Sequence, residues 1–101
     1  MNITNAIAKV RFSAARPQRI QLHDDKVATA ELLCMEAGQS QKIATGQWSY
    51  YVVMGDAEIS AGDKTTPLAM GQYVACEPGE CHTITNAGEG RLVCLVHGRK
   101  R

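Results

Sequence analysis

Few side chains in this sequence could do chemistry, and their spacing narrows the choice. The chain holds three histidines (His23, His82, His97), four cysteines (Cys34, Cys76, Cys81, Cys94), one tryptophan (Trp48) and three tyrosines. Imidazole is the group best suited to proton transfer or metal ligation near neutral pH. His82 follows a turn, Glu77-Pro78-Gly79, and opens a β-prone run, Thr83-Ile84-Thr85. Its chemistry would suit a hydrogen-bonding partner for a ligand or a general acid/base. His23 and His97 fall on or near strand ends with no neighbour at ligand spacing, and read as structural or exposed. Cys76, Cys81 and His82 together suggest zinc, but consecutive strand residues point to opposite faces and no C-x2-C pair is present. Phosphate loops, dinucleotide fingerprints and a nucleophile elbow are absent.

Trp48, Tyr50 and Val52 share strand parity and therefore one face. That face is either an aromatic wall for a ligand or a plug filling the core. Tyr51 and Val53 face the other way.

The elements that must hold these residues are strands. Arg19–His23, Lys26–Glu36, Trp48–Met54, Ala57–Ser60, Thr65–Ala69, Gln72–Cys76, His82–Thr85 and Arg91–His97 are short β-prone runs. Turn pairs such as Asp24-Asp25, Ala37-Gly38, Gly62-Asp63 and Pro78-Gly79 separate them. About eight strands at such spacing predict an all-β sandwich or barrel with little helix. Gln41 and Lys42 fall between runs and are expected in a loop at the barrel mouth. Residues 1–19 mix small, basic and apolar types, and form one turn of helix or an extended arm.

Gly71 to Asn86 (GQYVACEPGECHTITN) resembles the second conserved motif of the cupin superfamily. Gly71, Gly79, His82 and Asn86 fall at its spacing, while Glu77 stands at its proline position with Pro78 following. Trp48–Gly55 (WSYYVVMG) resembles the end of the first cupin motif, and Gly38-Gln39 its opening. The resemblance covers roughly residues 26–97. It implies a small jelly-roll barrel, a double-stranded β-helix, with residues 1–101 as one domain and 1–19 as a possible N-terminal arm. It implies an inward His82 and places Trp48, Tyr50, Val52, Lys42 and Gln41 with it around a ligand. The first motif normally supplies two histidines and an acidic residue to a metal. Here the acidic position holds Trp48, and the histidine positions fall on Lys42/Ala44 or Gln41/Ile43. His82 alone remains, so neither a metal nor another cofactor is expected.

Composition bounds the function class. A 101-residue chain of 11.0 kDa with 45% hydrophobic and 21% charged residues supports one core. A net charge of +1 argues against a surface built for phosphate backbones, and Gly98-Arg99-Lys100-Arg101 reads as a solvated end. No apolar run approaches the length of a membrane span, and no signal-peptide core is present. A cytoplasmic protein with reduced thiols is expected. The expected partners are a small molecule and a second copy of the chain. The resemblance implies a homodimer using Tyr51, Val53 and the Arg19–Leu22 strand. The function expected is metal-free small-molecule binding. The alternatives are isomerase- or epimerase-like acid–base chemistry by His82 with Tyr50, or a metalloenzyme using His82, His97 or a cysteine.

Overall fold

The computed structural model describes residues 1–100, so Arg101 of the basic tail lies outside the described residues. A short 3-10 turn (Ile7–Lys9) precedes nine strands. They are β1 (Gln18–Asp24), β2 (Ala28–Met35), β3 (Ser40–Ile43), β4 (Gln47–Met54), β5 (Ala57–Ala61), β6 (Lys64–Leu68), β7 (Tyr73–Ala75), β8 (His82–Asn86) and β9 (Leu92–Arg99). Two antiparallel sheets result, with strand orders β1-β2-β9-β4-β7 and β3-β8-β5-β6. This is the all-β jelly-roll expected, with nine strands rather than about eight.

The uncounted strand is β3, Ser-Gln-Lys-Ile. It is short, half-polar and paired on one side only, with β8, so it carries little of the apolar alternation that marks a strand. Gln41 and Lys42 therefore sit on a strand rather than in a loop. β9 also extends further than expected. Gly98 and Arg99 pair with both β2 and β4, and the Lys100 amide donates to the Val27 carbonyl.

Strand parity sorts each sheet into an inner and an outer face. The inner faces meet in a core of Leu33, Met35, Ile43, Tyr50, Val52, Ile59, Ile84, Leu92, Cys94 and Val96, among others. Asn86 ties the barrel shut, donating to the Met35 and Gly90 carbonyls and accepting from the Gly88 amide. Gly55 is an αL turn at the end of β4, with φ of 95°, where a Cβ would lie 2.5 Å from the Arg91 carbonyl oxygen.

The outer face of the five-stranded sheet carries a second cluster, Ile20, Leu32, Cys34 and Val93. Ala6, Val10 and Phe12 of the N-terminal arm fold back onto it, and Arg91 stacks 4.4 Å above the Phe12 ring. The arm thus covers half of an apolar row that runs Ile20–Leu32–Leu95–Tyr51–Tyr73 across all five strands. Leu95, Tyr51 and Tyr73 remain exposed.

Candidate functional site

The β5–β6 hairpin grades from apolar to polar along its inner face. Its facing pairs are Ala57 with Leu68, Ile59 with Thr66, and Ala61 with Lys64. Ala57 and Leu68 are buried, whereas Thr66 and Lys64 are exposed. The barrel therefore opens at the Ala61–Lys64 end of the hairpin. β6 is an edge strand and tolerates Pro67 for that reason.

Across from this hairpin end, the turn between β7 and β8 brings Glu80 and His82 to the opening. Its backbone closes through Glu80 N–H to the Glu77 carbonyl, and the Gly79 amide ties it to the Gly46 carbonyl before β4. Together these elements border a cleft of about 200 Å³ lined by Ile59, Lys64, Thr66, Val74, Cys76, Glu80 and His82, with Ala61 and Ala75.

His82 is 2% exposed and holds two hydrogen bonds. Its Nδ1 lies 3.0 Å from the Glu80 carbonyl oxygen and its Nε2 lies 2.7 Å from the Tyr50 hydroxyl. A carbonyl can only accept, so Nδ1 carries the proton and donates. Nε2 of the neutral ring is then the acceptor, and Tyr50 donates its O–H to it. The rings meet edge to face, with centroids 5.4 Å apart. Tyr50 is fully buried, and burial pushes its pKa well above the ordinary tyrosine value. The hydroxyl stays protonated, as this bond requires. Burial also raises Cys76, with the Glu80 carboxylate adding to the rise, so its thiol is poorly nucleophilic.

Both imidazole nitrogens are thus committed within the protein. A metal would need Nε2 released from Tyr50 and further ligands that are not at hand. Among the described residues no three His, Cys, Asp or Glu side chains cluster at metal-binding distance. The donor set does not fit a cupin metal. His97 cannot assist His82, because it lies exposed on the outer face of the five-stranded sheet, beside Ser49. All four cysteines are free, Cys81 exposed and the others buried.

The structure brings Tyr50 to His82 but separates the remaining sequence candidates from the cleft. Val52 is buried in the core, where it packs rather than binds. Gln41 faces inward from β3, half-buried, and Lys42 on the same strand is exposed. Neither lines the cleft. Trp48 does not line the His82 cleft; it is partly buried and packs against the edge of the inner core. Its indole N–H donates to the Thr45 carbonyl at 2.7 Å, and the Arg19 guanidinium stacks 4.9 Å above its ring. The ring packs against Gly98, where a Cβ would come within 2.6 Å of it. Trp48 instead borders a different cleft at the end of the five-stranded sheet.

Lys64, Thr66 and Glu80 were missed by the sequence. Glu80, two residues before His82 in a Pro-Gly turn, had a local signal. Lys64 and Thr66 had none, because only barrel closure brings β6 opposite β7.

A Cupin domain family model matches residues 31–98. Among solved structures, a Thermus thermophilus protein superposes with a TM-score of 0.91 at 21% identity, covering 100% of this chain and 99% of that one. An uncharacterized conserved protein with a double-stranded β-helix domain from Klebsiella pneumoniae gives 0.87 at 22%, covering 98% and 90%. A cupin superfamily protein from Desulfitobacterium hafniense gives 0.83 at 18%, covering 100% and 94%. No curated protein matches the chain.

Proposed function

The chain belongs to the cupin family, and we propose that it is a metal-free small-molecule-binding barrel whose ligand occupies the cleft beside His82. The observation that carries this reading is the His82–Tyr50 bond at the inner end of a concave, mixed-polarity cleft. Apolar walls with a few placed polar groups are the usual make-up of small-molecule sites. Ile59, Val74 and Cys76 supply the walls, and Lys64, Thr66 and Glu80 supply charge and hydrogen bonds at the rim. At about 200 Å³ the cleft is sized for a small molecule.

A second reading, proton transfer to a bound substrate, is favoured by the same 2.7 Å contact. His82 is the member of the pair that lines the cleft, and Tyr50, fully buried behind it, orients the imidazole. A similar barrel from Acidithiobacillus ferrooxidans is described as a putative sugar phosphate isomerase. It has a TM-score of 0.65 at 25% identity, and the match spans 74% of this chain and 51% of that one.

The proposal includes a homodimer, through Tyr51, Val53 and Leu95, which continue the apolar row that the arm covers on its other half. Free thiols suit a reducing, cytoplasmic setting.

The test is a thermal-shift screen of small polar compounds on the wild type, Lys64→Ala and Thr66→Val, whose altered side chains are exposed at the rim. Compounds that stabilise the wild type should lose their effect in both variants. If no compound shifts the wild type, or every shift survives both substitutions, the cleft assignment fails.

A further inference from the structure

The cleft bordered by Trp48 adjoins the His82 cleft, sharing Ala75 and Cys76 with it, but its other lining residues and its character differ. It lies over the outer face of the five-stranded sheet, where rows of paired residues cross β2, β9, β4 and β7. One row is Ala30–His97–Ser49–Ala75 and the next is Ala28–Arg99–Gln47. Small side chains at Ala28, Ser49 and Ala75 make a floor lower than their neighbours. Val27 and Tyr73, 62% and 64% exposed, stand at its two sides. The result is a concavity of about 350 Å³, larger than the cleft beside His82.

Arg99 supplies a permanent cation, and Gln47, Ser49 and His97 can each donate a hydrogen bond as well as accept one. No carboxylate lines the cleft. The ion pairs among the described residues join Arg19 to Glu31, His23 to Asp25, Arg91 to Glu36 and Lys100 to Asp24, and none takes up Arg99. A guanidinium is a planar fork of donors matched to carboxylate or phosphate oxygens. The volume corresponds to roughly twelve waters at about 30 Å³ each, more than a bare oxyanion fills. Tyr73, with Ala75 beside it, offers the apolar surface for the rest of such a molecule.

We infer that the outer face of the five-stranded sheet carries a second ligand site, for a small organic oxyanion held by Arg99, Gln47 and His97. The anionic group sits on the Arg99–Gln47 row, and its apolar part lies toward Tyr73.

The test titrates the full chain with phenyl phosphate, benzoate and inorganic phosphate, followed by backbone amide shifts in NMR. Phenyl phosphate or benzoate should bind saturably, moving the amides of Ser49, His97 and Ala75. Arg99→Gln, an exposed change at a strand end, should weaken that binding by about tenfold or more. Lys64→Ala should leave it unchanged, because Lys64 belongs to the other cleft. Four results would overturn the inference. The organic anions could fail to saturate up to about 10 mM. Arg99→Gln could bind as the wild type does. Binding could vanish in Lys64→Ala, which would move the ligand into the barrel. Inorganic phosphate could bind as tightly as phenyl phosphate, leaving the apolar body without a role.

Discussion

Tyr50→Phe isolates the central contact of the barrel. The substitution keeps the ring that packs among Val52, Val96 and Cys94 and deletes one hydroxyl. That hydroxyl donates to His82 Nε2 at 2.7 Å, and both residues are buried. Without it a buried acceptor is left unpaired, at a cost of about 1–3 kcal/mol. About 2 kcal/mol is expected, and in a domain this size each kcal/mol corresponds to roughly 4–8 °C in Tm. The converse change, His82→Leu, strands the Tyr50 hydroxyl and should cost a similar amount. The double variant removes both polar partners and leaves neither orphaned. It should therefore be less destabilised than the sum of the singles by about 1–2 kcal/mol. Urea unfolding of the four proteins at one temperature measures the cycle, provided the slopes agree. Additivity within about 0.5 kcal/mol would refute the claim that these two groups satisfy one another.

Stability should also fall in alkali. Burial holds Cys94 up from 9.0 to about 12, and raises Tyr50, Cys34 and Cys76 in the same direction. The unfolded chain loses these protons first, so their contribution is intact below about pH 9 and declines as pH rises, by about 1.4 kcal/mol per pH unit for each group in its window. Cys94→Ala should flatten the decline that begins near pH 9, and a wild type equally stable at pH 8 and 10.5 would contradict the assignment. Elemental analysis of purified protein should find no stoichiometric metal, because His82 has no free nitrogen; about one metal per chain, lost on His82→Ala, would reverse this reading. Trp48→Ala should cost about 2 kcal/mol, less than a fully buried tryptophan, because the side chain is only partly buried at the edge of the core; a loss above about 4 kcal/mol would mean it fills the core. Light scattering should give a dimer mass, and Tyr51→Lys with Leu95→Lys should reduce it to the monomer; a wild-type mass near 11.0 kDa at all concentrations would rule the interface out.

Residue type alone marked the strands richest in aromatic, β-branched and other apolar side chains, such as Trp48–Met54 and Leu92–Val96, because such side chains favour the extended backbone. It also marked the turns, because Gly55 and Pro78-Gly79 encode backbone angles locally, whereas the inward direction of His82 was legible only through the resemblance of Gly71–Asn86 to the second cupin motif. β3 was not legible, because Ser40–Ile43 is held by pairing with β8 rather than by its own propensity. What His82 would meet was decided only by closure of the two sheets. The Tyr50 partnership spans 32 residues, and Lys64 and Thr66 reach the cleft from a hairpin with no local mark of function. Trp48 shows the limit most plainly. Its parity was readable, yet its place depended on Gly98, fifty residues away, having no side chain to keep the indole off β9. Such contacts are set by how distant strands register, and no local pattern in the chain specifies that register.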